Sequence, residues 1–105
     1  MSASDDIWIL GIHMTKFGKH PDKDTVDLAA EAVQGALKDG GVSMKDIGII
    51  GAGNLMGGGG FGQQLQKQIG QTGVPVYNVS NACATGATAL RTAIMAVKAG
   101  EVDYG

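Results

Sequence analysis

The residues best suited to chemistry in this sequence are Asn81-Ala82-Cys83-Ala84-Thr85-Gly86. Cys83 is the only cysteine in the 105-residue chain. An apolar run ends near Val79 and an Ala-rich stretch begins near Cys83, so the thiol is expected at a strand-to-helix junction. A group placed there faces unpaired backbone N–H groups and the positive end of the helix dipole. Both favour negative charge, which makes a cysteine sulfur a better nucleophile. Ala82, Ala84, Gly86 and Ala87 are small. Such neighbours let a helix start pack against other backbone and leave room for a substrate; at Gly86 in particular a close backbone approach is expected. The competing reading is that free cysteine is among the most buried residue types and often fills space. Position and neighbours alone leave both readings open.

Other candidate groups are weaker. Gly57, Gly59 and Gly62 satisfy G-x-G-x-x-G after one apolar run and before a possible helix, which outlines a dinucleotide fingerprint. That fingerprint expects Asp or Glu about 20 residues further on to hold a ribose. None occurs between Asp46 and Glu101. No G-K-[ST] follows either, so a P-loop is excluded. His13 and His20 are far from each other in sequence, and one cysteine gives no metal-ligand spacing. His13 reads as a hydrogen-bonded structural residue and His20, before Pro21, as a solvated one. Met14, Met44, Met56 and Met95 read as packing residues.

The elements that must position Cys83 follow from periodicity. Ile7 to His13 is a near-continuous apolar run and reads as a buried strand. Asp24 is a good N-cap. Val26, Ala29, Ala30, Val33 and Leu37 then recur on one helical face, and Gly40-Gly41 ends the helix. Ile47 to Ala52 is a second strand, and Phe61 to Ile69 reads as a short helix. Val74 to Val79 is a third strand, with Pro75 tolerated near its start or marking an edge. Ala84 to Ala99 is a long helix ended by Gly100. Strand–helix alternation of this kind implies an α/β layer with a largely parallel sheet. The closing residues, Glu101 to Gly105, read as the approach to another strand, so the chain is expected to be a fragment.

Composition narrows the function classes. Net charge is −2, without a Lys/Arg cluster, which disfavours nucleic acid. Five aromatic residues offer little for stacking single strands. One cysteine rules out an internal disulfide, so a reducing, cytoplasmic setting is expected. No apolar stretch approaches the ~20 residues needed to span a bilayer.

The segment from Val76 to Leu90 resembles the nucleophile region of thiolases, in particular the branch that includes the sterol-carrier-protein-type thiolases, lipid-transfer proteins and related acetyl-CoA acetyltransferases. Met14-Thr15-Lys16-Phe17-Gly18 and Ala99-Gly100-Glu101-Val102-Asp103-Tyr104-Gly105 are similar to that branch as well. The resemblance implies a thiolase-like α/β fold, this chain being the N-terminal part of a layered αβαβα arrangement with a mixed, mostly parallel sheet. Residues 1–105 would be a partial N-terminal domain. Cys83 would carry the acyl group in transfer between coenzyme A thioesters, which act as substrates, with no bound cofactor. The family's two histidines and second cysteine lie in its C-terminal half, and His13 and His20 do not match them. The resemblance also implies a homodimer or higher oligomer, paired through the strand that Val74–Val79 matches. Some members join a small partner with a zinc ribbon and an OB-fold. Two other functions fit the same fold: aldol cleavage of steroid-type thioesters, and a non-catalytic lipid- or thioester-binding or assembly module.

Overall fold

The computed structural model describes residues 6–56 and 58–105. Helix α1 spans Thr25–Gly40. Its start is a capping box, in which the Asp24 carboxylate accepts from the Asp27 N–H and the Asp27 carboxylate accepts from the Asp24 N–H. Gly41 closes it in the left-handed conformation, φ 69°, where a Cβ would be strained. After a single 3-10 turn at Met44–Asp46 comes strand β1, Ile50–Gly53. Helix α2 (Phe61–Ile69), strand β2 (Val76–Val79) and helix α3 (Thr85–Lys98) follow. β1 and β2 pair in parallel, with Ile50 opposite Val76 and Gly53 opposite Val79. β2 begins just after Pro75, whose carbonyl accepts from the Ile50 N–H. A proline lacks the N–H a ladder needs but keeps its carbonyl, so it fits a strand start.

The two-residue period of β1 separates the layers. A Cβ at Gly51 would lie 2.5 Å from the Ala89 carbonyl oxygen of α3. Two residues on, a Cβ at Gly53 would lie 2.7 Å from Thr85 Cγ2 of the same helix. Ala52, between them, faces α2, where a Cβ at Gly62 would meet Ala52 and Val76. Successive residues point to opposite faces, so α2 lies on one face of the sheet and α3 on the other. α1 joins the α2 side through Gln68, whose amide donates to Asp27 at 2.9 Å. The arrangement is α/β with a parallel sheet between helical layers. Its buried apolar side chains are Ala30, Met44, Ile49, Ala52, Phe61, Leu65 and Ala96.

The first expected strand is absent, and Met14, Met56 and Met95, read as packing residues, are exposed. Ile7 to His13 is not a strand and not buried. Trp8, Ile9 and Ile12 are 77%, 69% and 72% exposed. The run lies against the C-terminal part of α1: the Ile12 N–H donates to Asp39, and the ring of His13 covers Gly35. A strand needs a ladder neighbour about 4.8 Å away. Here an apolar cavity of about 650 Å3 lies between the run and β1, roofed by α1 and floored by α3. Tyr104 and Gly105 also line it, and the Gly48 N–H donates to the Tyr104 carbonyl at 2.9 Å. The sequence-based order of three alternating strands and helices therefore begins one strand late.

Candidate functional site

Cys83 stands on the turn between β2 and α3, and its thiol is free and exposed. The helix proper starts at Thr85, so Cys83 precedes it instead of forming its first turn. Within this chain the Cys83 thiol fills no cavity, whereas a space-filling cysteine is buried. The backbone folds back sharply at this point. Ala84 N–H bonds to the Asn81 carbonyl at 2.9 Å, and Thr85 N–H to the Ala82 carbonyl at 3.3 Å. Ala82 has φ 47°, the sole non-glycine residue with positive φ among the described residues. Left-handed backbone is rare for residues with a Cβ and is concentrated at functional turns. A nucleophile raised on such a strand-to-helix turn is reachable by a substrate.

Three polar side chains brace the turn. The Thr85 hydroxyl accepts from the Asn81 N–H at 2.8 Å and donates to the Ala82 carbonyl at 2.7 Å. The Asn81 amide donates to the Thr88 hydroxyl at 3.0 Å, which donates to the Ala84 carbonyl at 2.9 Å. Beyond them, helix geometry leaves first-turn N–H groups of α3 without intrahelical partners. Those are donors of the kind that stabilise a developing oxyanion. At the other side of the turn, the Asn54 N–H donates to the Val79 carbonyl at 3.2 Å and holds the end of β1 against the end of β2.

The strand-to-helix junction expected around Cys83 is present between β2 and α3, and Asn81, Thr85 and Thr88 form a bracing set beside it that was not expected from the sequence. Their signal was present: hydroxyl-bearing residues four and seven positions after an Asn that ends a strand. Gly86 departs from expectation, since within this chain nothing lies within 4 Å of where its Cβ would be. Of the glycine cluster, Gly62 packs against β1 and β2, while Gly58, Gly59 and Gly60 face open space. Gly62 N–H donates to Asn78 Oδ1 at 2.6 Å, and the Asn78 amide donates to Gln63. Gly57 lies outside the described residues. His20 is half-buried rather than solvated, its Nε2 donating to the Lys16 carbonyl at 2.7 Å. Among the described residues no group of three or more His, Cys, Asp or Glu is arranged to hold a metal ion. No helix among them is long and apolar enough to cross a membrane.

Comparison with known proteins places these features in context. Residues 7–105 match the family described as thiolase, N-terminal domain. The chain is 38% identical over 100 residues to non-specific lipid-transfer protein-like 2 of Caenorhabditis elegans, covering 92% of this chain and 24% of that protein. It is 36% identical over 103 residues to the acetyl-CoA acetyltransferase of Methanothermobacter thermautotrophicus, covering 93% and 27%. In fold it is similar to 3-oxoacyl-(acyl carrier protein) synthase III, FabH, from Xanthomonas oryzae. That likeness has TM-score 0.65 and 21% identity, over 77% of this chain and 25% of the other. The chain thus spans about a quarter of the length of each of these proteins.

Proposed function

The chain belongs to the thiolase family through its N-terminal domain, and from that premise we propose that Cys83 is the acyl-accepting nucleophile of the whole protein. The observation that carries the reading is the exposed Cys83 thiol on a braced turn whose Ala82 is left-handed. In the first step the Cys83 sulfur attacks the carbonyl carbon of an acyl thioester. The bond from that carbon to the coenzyme A sulfur breaks, and coenzyme A leaves as its thiol with the proton given up by Cys83. In the second step an acceptor attacks the acyl-cysteine carbonyl and Cys83 regains its proton. With the α-carbon of an acetyl thioester as acceptor, that carbon gives up the proton and the product is a 3-ketoacyl thioester, which is condensation. Thiolytic cleavage is the reverse course: the Cys83 sulfur attacks the 3-keto carbonyl carbon, the C2–C3 bond breaks, the acetyl thioester leaves with a proton on C2, and a coenzyme A thiol then takes the acyl group from Cys83. Either way the kinetics are ping-pong.

This chain supplies the nucleophile and the start of α3. The general base and the acid that moves the substrate proton belong to the larger remainder that its relatives possess. The acetyltransferase name of one relative supports acyl transfer between coenzyme A thioesters. A free, accessible cysteine supports it over carriage of a lipid alone, because carriage has no use for a nucleophile.

Incubating the intact protein with an acetyl thioester and mapping the modified peptide tests this. The acetyl group is expected on Cys83, with coenzyme A released in equal amount. Cys83→Ala is expected to lose both the adduct and turnover, the latter on the order of a thousandfold or more. Acyl transfer that survives Cys83→Ala would sink the reading.

A further inference from the structure

Ala82 keeps its left-handed backbone although it has a Cβ, so something in the surroundings must over-determine it. Thr85 is the residue placed to do so. One hydroxyl bonds the N–H that precedes Asn81 Cα and the carbonyl that follows Ala82 Cα. These two bonds pin both ends of the Asn81-Ala82 dipeptide. Thr85 is itself 8% exposed, so its hydroxyl has little water to compete for those partners. Its methyl is seated too. A Cβ at Gly53 would fall 2.7 Å from Thr85 Cγ2 and 3.0 Å from the Thr85 carbonyl oxygen. β1 therefore carries no side chain where Thr85 docks.

We infer that Thr85 is a positioning residue for Cys83, its methyl docked on Gly53 and its hydroxyl holding the Asn81-Ala82 turn that presents the thiol. The inference rests on the proposed function only for what the thiol does; the positioning is a property of the folded protein. Two halves of one side chain have separate duties. Valine keeps the methyl and the shape but loses both hydrogen bonds. Serine keeps the hydroxyl and removes the methyl that crowds Gly53. The Thr88 hydroxyl, bonded to the Asn81 side chain, braces the same turn from the next turn of α3.

The test is the rate at which iodoacetamide alkylates Cys83 in the intact protein, with folding checked by circular dichroism. A misplacement of about 1 Å can change reactivity by orders of magnitude. Thr85→Val is expected to shift the rate about tenfold or more toward that of the denatured protein, with Thr85→Ser within about twofold of wild type. Gly53→Ala is expected to act like Thr85→Val, because its new methyl displaces Thr85. Adding Thr85→Ser to Gly53→Ala is expected to restore part of the rate, because it removes the clash with the Thr85 methyl but leaves the tighter approach to the Thr85 carbonyl oxygen. A folded Thr85→Val protein with the wild-type rate would overturn the inference. If that variant does not fold, the Gly53→Ala pair decides: no effect of Gly53→Ala, or no restoration by Thr85→Ser, overturns it. Loss of the functional reading is distinguishable, since acyl transfer that persists in Cys83→Ala leaves these alkylation rates meaningful.

Discussion

In the left-handed region the Cβ of an L-residue crowds the following carbonyl at about 1–2 kcal/mol, and Ala82 bears that strain one residue before Cys83. Glycine would remove the crowding but would cost about 0.4–1 kcal/mol through the freer unfolded chain. Ala82→Gly is therefore expected to leave stability to urea within about 1 kcal/mol of wild type. Ala82→Val adds a β-branched side chain at the same backbone and is expected to destabilise by about 2 kcal/mol or more. Equal stability of the two variants would mean that the turn opens at no cost. Cys83 could be singled out from residue type and neighbours. The duty of Thr85 could not, because it depends on where the Asn81 N–H and the Ala82 carbonyl end up once the chain has turned.

The helices differ in how their ends are made. α1 carries a full capping box, and Asp27 belongs to it. The Asp24 N–H, and after it the Gln68 amide, hold the Asp27 carboxyl below its usual range. The folded state thus favours the charged form. Its contribution is fully present above the ordinary Asp value near 3.8 and is lost as pH falls through the lowered folded value. Thermal melts between pH 6 and pH 2.5 are expected to show a smaller acid-induced fall for Asp27→Asn than for wild type. Parallel curves would count against this account. α3 has no side-chain cap, and its start carries Gly86 with open space around it. Within this chain Gly86→Ala is expected to be stabilising by up to about 1 kcal/mol, as alanine is the better helix former. A loss of stability or oligomerisation in the intact protein would show that a surface outside this chain packs on Gly86.

At the scale of the molecule, two parallel strands carry the sheet, and the outer edge of β2 is open among the described residues. Tyr77 on that strand is 51% exposed. An unpaired apolar edge invites pairing with another chain. The intact protein is expected to sediment as a dimer or larger at micromolar concentration, and Tyr77→Lys, which puts a charge on the edge, is expected to weaken it. A strict monomer would remove the pairing claim. On the other side of β1, the apolar cavity and the exposed Trp8, Ile9 and Ile12 leave much of the surface uncovered. Residues 1–105 expressed alone are therefore expected to associate and to show no acyl-thioester cleavage, because the proposed nucleophile Cys83 would lack a base. Clear turnover that vanishes with Cys83→Ala would show that the rest of the protein is dispensable.

α1, α2 and α3 were each legible to within a residue or two, because apolar spacing, the glycines that follow them and, for α1, the capping box act within one turn of the chain. The parallel α/β class was legible as well, since strand–helix alternation leaves few other ways to bury both faces of a sheet. The strand-to-helix junction that carries Cys83 was legible for the same local reason. Ile7–His13 shows the limit: its apolar run encodes a preference for burial, but strand structure depends on a neighbour whose distance no local pattern controls. Gly51 and Gly53 read as a weak strand in one dimension, and only the descent of α3 onto β1 explains them. The bracing of Ala82 was likewise decided in three dimensions. It depends on the seat that Gly53 leaves for Thr85, and that contact joins residues 32 positions apart, beyond the reach of any local rule.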